Sequence, residues 1–269
     1  MAKHPFFNLR KNDGVLVIAH RGGLGLMPEN TLPAFNNAES LGADVVELDI
    51  HSSKDGHIVI MHDDDIDRTT DGSGKVSDFT LNELKQFDAG YRWTADEGKT
   101  FPFRGKGIQI PTLSEAITEI KNAGIIIEIK QDEPSLIKPL SEIIRNHNLQ
   151  NRVIVASFSV KALVNFRTAM PEVATSTNKS EALIFYLLNK VYLAGFYRPN
   201  AVALQVPEHY MGKHIITRRF VSTAKKQNLE VHAWTINETE DMKRLIGLGV
   251  EGIVTDYPDR LLKLLGRSQ

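Results

Sequence analysis

Eight short runs of aliphatic and β-branched residues alternate along the chain with longer segments of helical period. The runs are VLVIA, DVVELDI, IIIEI, RVIVAS, EVATS, AVALQV, LEVHAW and GIVTD, and the helical segments include residues 31–42, 113–124, 135–148 and 241–250. Such alternation predicts βα units and an α/β fold whose parallel sheet is buried on both faces. Eight units are what a closed TIM-type (β/α)8 barrel requires. A doubly wound open sheet is the alternative.

The second run is followed by a long departure from this alternation. Residues 51–111 precede the next clear helix, whose start is marked by the capping-box pattern of Thr112 and Glu115. This segment is too long for an ordinary βα loop, and inserts of such length usually carry function. We therefore predict a single domain over residues 1–269, with an insertion after the second strand at about residues 51–111.

The composition excludes several classes of protein. The 32 Lys and Arg residues balance 33 Asp and Glu residues, which argues against a nucleic-acid partner. The chain has no cysteine, so disulfides, thiolate metal sites and a cysteine nucleophile are excluded. No stretch reaches the ~20 apolar residues of a transmembrane helix, and the N-terminus lacks a secretory signal. These features predict a cytoplasmic protein with at most transient membrane contact, and none of them indicates an oligomeric state.

The stretch VIAHRGGLGLMPENT, residues 17–31, places His20 and Arg21 at the end of the first strand. Its glycines match neither the G-x-G-x-x-G dinucleotide fingerprint nor a P-loop. The remaining pattern is a histidine, an arginine and glycines that let the backbone approach a ligand closely. An ordinary tight turn capped by Asn30 or Thr31 fits this stretch about as well.

Carboxylates repeat on two of the predicted strands. Glu47 and Asp49 lie two residues apart and therefore project from one face, and Glu128 and Lys130 repeat this spacing. Buried carboxylates repel one another unless a cation or protons neutralise them. Three oxygen ligands suit a hard divalent cation, Mg²⁺ or Ca²⁺, better than zinc. An ion pair between Glu128 and Lys130 is the structural alternative.

A second histidine, His62, ends the run HIVIMHD beyond the carboxylate strand, and it could meet His20 at one mouth of the barrel. Two imidazoles can divide the work of general base and general acid near neutral pH. Arg21 and Lys130 would neutralise phosphate oxygens beside a divalent cation. The combination indicates phosphoryl chemistry.

Taken together, the motifs resemble the glycerophosphodiester phosphodiesterase family. The matching stretches are HRG, PENT, ELDI, DGHIVIMHDDDIDRTTDG, PTLSEA and EIK, with HAWTIN and GVEGIVTDYPD similar to the closing strands. The resemblance covers about residues 15–264. It implies a TIM-type barrel that hydrolyses glycerophosphodiesters to sn-glycerol 3-phosphate and an alcohol, using a divalent cation.

The resemblance also implies roles for three sets of residues: an acid/base pair, the metal ligands and the substrate contacts. In that order they are His20 and His62; Glu47, Asp49 and Glu128; and Arg21, Lys130, Glu29 and Trp234. Glu29 would orient Arg21 or its loop, and Trp234 would line the glycerol pocket. The family's catalytic residue types are retained at every matching position, which disfavours an inactive relative.

One mechanism is consistent with both the residue pattern and the family resemblance. One histidine, aided by the cation, activates the glycerol 2-hydroxyl for in-line attack on phosphorus, and the other protonates the departing alcohol. Water then opens the cyclic phosphate; direct attack by water is the rival. Which histidine is the base stays open.

Other functions fit parts of the pattern. A lysophospholipase D is one alternative, supported by the apolar segment 182–197, and a non-catalytic phosphate-binding barrel is another, which the histidine pair disfavours. A nuclease or a phospholipase C-like lyase would act on the same bond. Helical spacing predicts an inward stripe on segment 182–197, with Phe185, Tyr186 and Tyr192 off it. The stripe consists of Ile184, Leu187, Leu188, Val191 and Gly195.

Overall fold

The computed structural model describes residues 4–10 and 14–267. Eight parallel strands form its framework, and three short antiparallel strands lie outside this set. The parallel strands are β1 (Leu16–Ala19), β2 (Val45–Ser52), β4 (Gly124–Ile129), β5 (Val153–Ala156), β6 (Ala174–Thr175), β7 (Ala203–Pro207), β10 (Glu230–Trp234) and β11 (Gly252–Thr255). The others are β3 (Ile58–Ile60), β8 (His209–Tyr210) and β9 (Lys213–His214).

The parallel strands follow one another around a nearly closed barrel. Neighbours run in the order β6, β5, β4, β2, β1, β11, β10 and β7. A single parallel bridge between Ser176 and Ala203 then joins the two ends of this path. The TIM-type barrel is thereby confirmed over the doubly wound open sheet, because an open sheet leaves its two outer strands unpaired.

Helices cover the outside of the barrel. They are α1 (Leu32–Leu41), α3 (Leu113–Glu119), α4 (Ile137–Asn146), α5 (Val160–Ala169), α6 (Lys179–Lys190), α7 (Arg218–Lys226), α8 (Thr239–Leu248) and α9 (Pro258–Leu264), whereas α2 (Leu81–Leu84) belongs to the segment between β3 and α3. The predicted capping box is present: the Thr112 hydroxyl accepts from the Glu115 amide, and the Glu115 carboxylate accepts from the Thr112 amide. Among the described residues, no helix combines the length and the apolar character needed to cross a membrane.

Apolar side chains fill both sides of the barrel wall. Val46, Leu48 and Ile50 of β2 belong to the outer core between strands and helices, as their alternation with Glu47 and Asp49 predicts. A second cluster includes the inner residues of β1, β4 and β5 together with Phe6 and Phe7 from the N-terminal 3-10 turn (Pro5–Leu9). Asp49, Glu128 and Lys130 lie towards or just beyond the carboxyl ends of β2 and β4.

The insertion after the second strand has a small core of its own. β2 extends to Ser52, and β3 then pairs antiparallel with it. The apolar residues of the insertion's core are Val59, Met61, Ile66, Val76, Leu84, Ala89, Ile108 and Ile110. The indole of Trp93 donates a hydrogen bond to the carbonyl of Leu24, 2.9 Å away, and so fastens the insertion to the barrel.

The predicted inward stripe of α6 is wrong in most of its positions. Ile184 and Leu187 are exposed, as are Val191 and Gly195 just beyond the helix; only Leu188 packs against the core. Phe185, expected off the stripe, is fully buried and meets the ring of Phe220 edge-on. The helix therefore rests on the barrel through Phe185 and turns an apolar face towards solvent. Packing of Phe185 against Phe220, rather than the apolar spacing along the sequence, decides which face of the helix is buried.

Gly22 and Gly56 allow the cost of a positive φ angle to be separated from the cost of crowding a new Cβ against its neighbours. Their φ angles are +84° and +85°, but a Cβ on Gly22 would lie 2.8 Å from the Cβ of Ala34, whereas Gly56 has nothing within 4 Å. We expect Gly56→Ala to lower the free energy of unfolding by about 1 kcal/mol through its φ angle alone. Gly22→Ala should cost about 2–4 kcal/mol, because overpacking adds to this. Urea unfolding measures both values, and equal losses would contradict the packing argument.

Candidate active site

A cavity of about 600 Å³ opens at the carboxyl ends of the barrel strands. Eight of the nine predicted site residues line it, and the ninth, Glu29, contacts Arg21. The eight are His20, Arg21, Glu47, Asp49, His62, Glu128, Lys130 and Trp234. The fold thus brings together residues from β1, β2, β4, β10 and the insertion.

The three carboxylates converge because β2 and β4 are paired in register. Asp49 stands opposite Glu128 on the neighbouring strand, and Glu47 precedes Asp49 by two residues on the same face. One carboxylate oxygen from each of the three residues lies within 4.8 Å of the others. Glu47 and Asp49 are buried. This all-oxygen group has the donor set that hard divalent cations prefer.

The charge balance of this group also fits a cation. Burial, together with the charge of Asp49, raises the pKa of Glu47 to about 8. Burial also raises the pKa of Glu128, although the Lys130 ammonium donates a hydrogen bond to it at 3.0 Å. Lys130 lies 3.2 Å from Asp49, and the Arg21 guanidinium lies 3.4 Å from Asp49. With all three carboxylates ionised, these two cations leave one negative charge uncompensated, and a divalent cation in place of the Glu47 proton would supply the balance, so the residues present fit such an ion.

The loop after β1 supports this group from its other side. Arg21 adopts a left-handed backbone conformation, with φ of 50°, and its amide donates a hydrogen bond to Glu47 at 2.9 Å. Its guanidinium donates to Glu29 at 2.8 Å. The Asn30 amide group donates to Asp49, also at 2.9 Å. The stretch Pro28–Thr31 therefore orients Arg21 and one carboxylate rather than facing the cavity.

His20 is held by a carboxylate from the last barrel strand. Its Nδ1 lies 2.6 Å from an Asp256 oxygen, and Asn237 donates a hydrogen bond to the other oxygen. Burial, the largest influence, lowers the pKa of His20, but the Asp256 hydrogen bond and the Glu47 charge outweigh it and raise the pKa above its usual value. Sequence reasoning assigned no role to Asp256 or Asn237. The sequence marked Asp256 only by its position at the end of the last predicted strand.

His62 comes from the insertion and lies in a different environment. Its Nδ1 is 2.6 Å from Asp63, which also accepts a hydrogen bond from Arg68. Burial lowers the pKa of His62, against the opposing influences of Asp49 and Asp63. Arg68 donates two further hydrogen bonds to Glu29, so it links the insertion to the loop that carries Arg21. Arg68 and Asp63 were also missed from sequence, because nothing local distinguishes them from the neighbouring acids and bases.

The cavity therefore presents a metal-fitting carboxylate group, two cationic side chains and two imidazoles whose pKa values are shifted in opposite directions. Such a set can bind a phosphodiester, neutralise its oxygens and exchange protons with it. This combination in a TIM-type barrel indicates a phosphoric diester hydrolase.

Comparison with known proteins identifies the family. Residues 20–260 match the glycerophosphoryl diester phosphodiesterase family, and the chain belongs to it. A glycerophosphodiester phosphodiesterase of Caldanaerobacter subterraneus is 37% identical over 94% of this chain and 98% of its own length. A human lysophospholipase D is 25% identical over 92% of this chain and 85% of its own. The resemblance seen in the motifs, and the assignment as a phosphoric diester hydrolase, are confirmed.

Solved structures agree with this assignment. A phosphodiesterase of Oleispira antarctica, in complex with its product sn-glycerol-3-phosphate, superimposes with a TM-score of 0.77. It is 32% identical, and the match covers 93% of this chain and 96% of the other. A glycerophosphoryl diester phosphodiesterase domain from Mycobacterium tuberculosis has a TM-score of 0.82 at 20% identity, over 94% and 99% of the two chains, and supports the fold alone.

The contact between His20 and Asp256 leads to a prediction about titration. Asp256→Asn keeps the side-chain size but removes the charge that favours the protonated imidazole, so the pKa of His20 should fall below its wild-type value. An NMR titration of the histidine ring resonances measures this pKa, with the exposed His57 as an internal reference. An unchanged His20 pKa would show that Asp256 does not set its protonation.

Proposed function

We propose that this protein hydrolyses glycerophosphodiesters to sn-glycerol 3-phosphate and an alcohol, with a divalent cation and with His20 and His62 as the acid/base pair. The proposal rests on one observation: both imidazoles and three carboxylates line the same cavity. The product named for the Oleispira antarctica structure supports the substrate class.

Glu47, Asp49 and Glu128 would hold the cation, which we take to be Mg²⁺ or Ca²⁺ because the donors are all carboxylate oxygens. When bound, such an ion polarises a phosphoryl oxygen and lowers the pKa of a coordinated hydroxyl. Neutral Glu47 is a poor ligand. Its raised pKa therefore implies that cation affinity strengthens with pH as this carboxyl loses its proton.

Arg21 and Lys130 would bind the remaining phosphoryl oxygens. Both lie beside Asp49 and line the cavity. Their positive charges would therefore lie next to the phosphate of a substrate bound there. Glu29 holds one edge of the Arg21 guanidinium and is itself held by Arg68. This support limits the rotation of Arg21 before the substrate binds, which lowers the entropic cost of binding.

The opposite pKa shifts favour one division of roles between the histidines. His62, with its lowered pKa, is neutral near pH 7 and accepts the proton of the glycerol 2-hydroxyl as its oxygen attacks phosphorus. His20, whose raised pKa favours the protonated ring, donates a proton to the departing alcohol oxygen while Asp256 keeps hold of its Nδ1. In the second stage His20 takes a proton from water, and His62 returns a proton to the 2-oxygen as the cyclic phosphate opens.

Trp234 provides an apolar surface in the same cavity. It ends β10, and its ring meets that of Phe158 edge-on, with centroids 6.1 Å apart. The carbon chain of a glycerol unit would pack against this pair, while its phosphate faces Arg21 and Lys130. We therefore propose Trp234 as a substrate contact rather than a participant in proton transfer.

Product analysis with glycerophosphocholine tests this mechanism. His20→Ala and His62→Ala should each lower kcat by about 10²–10⁴-fold, because each removes one proton-transfer group. EDTA should abolish release of glycerol 3-phosphate, and Mg²⁺ or Ca²⁺ should restore it. His57→Ala, an exposed histidine outside the cavity, is the matched control. Intact metal binding without turnover in the wild-type protein would instead support a non-catalytic phosphate-binding barrel.

A lysophospholipid substrate is a second candidate, favoured by the walls of the cavity. Phe158, Leu183, Leu187, Tyr210 and Met211 line the cavity, and each is at least half exposed. A volume of about 600 Å³ is far larger than a glycerol phosphate needs. An acyl chain could lie along these side chains while its head group reaches the carboxylates. The human lysophospholipase D that this chain resembles cleaves substrates of that class, according to its name.

The same surface supports transient contact with a membrane. Between Ala182 and His214 the only acidic residue is Glu208, which is buried, whereas Lys190, Arg198 and Lys213 are basic. Exposed apolar side chains flanked by basic residues favour an interface with anionic lipid. Contact of this kind would bring a lysophospholipid directly to the mouth of the cavity.

Two similarly exposed leucines, one inside the cavity and one outside it, provide a test that distinguishes the two substrates. Leu187 lines the cavity, whereas Leu193 is similarly exposed but does not line it. Leu187→Ser should lower kcat/KM for lysophosphatidylcholine about tenfold, since ~1.5 kcal/mol of apolar burial is lost. It should leave glycerophosphocholine turnover nearly unchanged, and Leu193→Ser should alter neither. Equal effects of Leu187→Ser on both substrates would remove the case for an acyl-chain site.

A further inference from the structure

A second group of metal-ligand side chains lies on the hairpin that follows β7. β8 and β9 are joined by Met211 and Gly212, whose φ angles are +50° and +73°. Positive φ at both central residues is the geometry of the tight turn that best fits a two-residue hairpin. The turn fixes the register, in which His209 faces His214 directly across the strands.

The two imidazoles already have the separation that a shared metal ion requires. Their Nε2 atoms are 3.2 Å apart, and their ring centroids are 4.0 Å apart. Zn–N bonds of 2.0–2.1 Å in a tetrahedral site place two nitrogen ligands about 3.3 Å apart. The rings are 49% and 64% exposed, so an ion and a water ligand can reach them. The backbone of the hairpin therefore already places the two histidines for a shared ion.

Glu208 supplies a third ligand at the base of the hairpin. It is buried, and its Oε1 lies 3.8 Å and 3.9 Å from the Nδ1 atoms of His209 and His214, so rotation of the exposed imidazole rings would bring ring nitrogens and this oxygen around one ion. One ligand atom from each of these three residues lies within 4.8 Å of the others. Arg244 lies 2.5 Å from the same Glu208 oxygen and is anchored in turn by Asp241. Carboxylates that bind metals are commonly oriented by such an outer partner.

We propose that Glu208, His209 and His214 form a separate metal site for a zinc-like ion, with water as the fourth ligand. Two imidazole nitrogens select borderline-soft ions, whereas the carboxylate group of the cavity has oxygen ligands alone. The proposed site is therefore distinct in chemistry as well as in position. Tyr210, Met211 and Lys213 of the same hairpin line the cavity. A bound ion would thus fix one wall of the cavity without taking part in the reaction.

Zinc titration of metal-free protein tests this site directly. The variant Glu47→Gln/Glu128→Gln weakens the cavity's carboxylate group, and we expect it to keep one equivalent of Zn²⁺ by calorimetry. Adding His209→Ala or His214→Ala should lower that affinity at least about 100-fold, while adding His57→Ala should leave it unchanged. Co²⁺ in place of Zn²⁺ should give the intense visible absorption of a tetrahedral site, and His209→Ala should abolish it.

Limited proteolysis gives an independent measurement in the otherwise unaltered chain. Lys213 lies at the exposed end of the hairpin, and Zn²⁺ should slow tryptic cleavage there in the wild-type protein but not in His209→Ala. Because both histidines are exposed, their alanine variants should fold normally, as circular dichroism would verify. Zinc binding that survives both histidine substitutions, or that is lost on weakening the carboxylate group alone, would overturn the proposal.

Discussion

The mutual repulsion of Glu47, Asp49 and Glu128 is the constraint around which the cavity is arranged. The paired register of β2 and β4 forces these groups together, and burial makes their charges costly. Lys130, the Arg21 guanidinium and amide, and the Asn30 amide group all lie against them. The loop after β1 must therefore turn sharply enough to present a backbone amide and a side chain to neighbouring carboxylates, which its left-handed Arg21 and glycines allow.

Each imidazole has a carboxylate of its own, but the two are set in different surroundings. His20 belongs to the barrel and is stabilised as a cation by Asp256 and the neighbouring Glu47. His62 belongs to the insertion, where burial dominates and favours the neutral ring. One fold thereby holds two imidazoles whose pKa values are shifted in opposite directions. Arg68 bonds to both Asp63 and Glu29, so the orientation of His62 is coupled to that of Arg21.

Features that depend on local pattern could be predicted from the sequence. The eight strands, the capping box at Thr112 and the inward face of Glu47 and Asp49 follow from alternation and spacing. Features set by long-range packing could not. The face of α6 was misassigned because burial of Phe185 depends on Phe220, a residue of another helix. Asp256 follows its strand visibly, but its partnership with His20 spans 236 residues, and no local signal encodes such a contact.

The separate apolar core of the insertion has a consequence for how activity responds to stress. His20 is carried by the barrel, whereas His62 is carried by a segment with a much smaller core, held to the barrel by the pairing of β3 with β2 and by side chains such as Trp93 and Arg68. Smaller cooperative units open at lower free energy than the domain as a whole. His62 can therefore move away from His20 while the barrel stays folded, so the smaller core, rather than global stability, limits how long the cavity stays assembled.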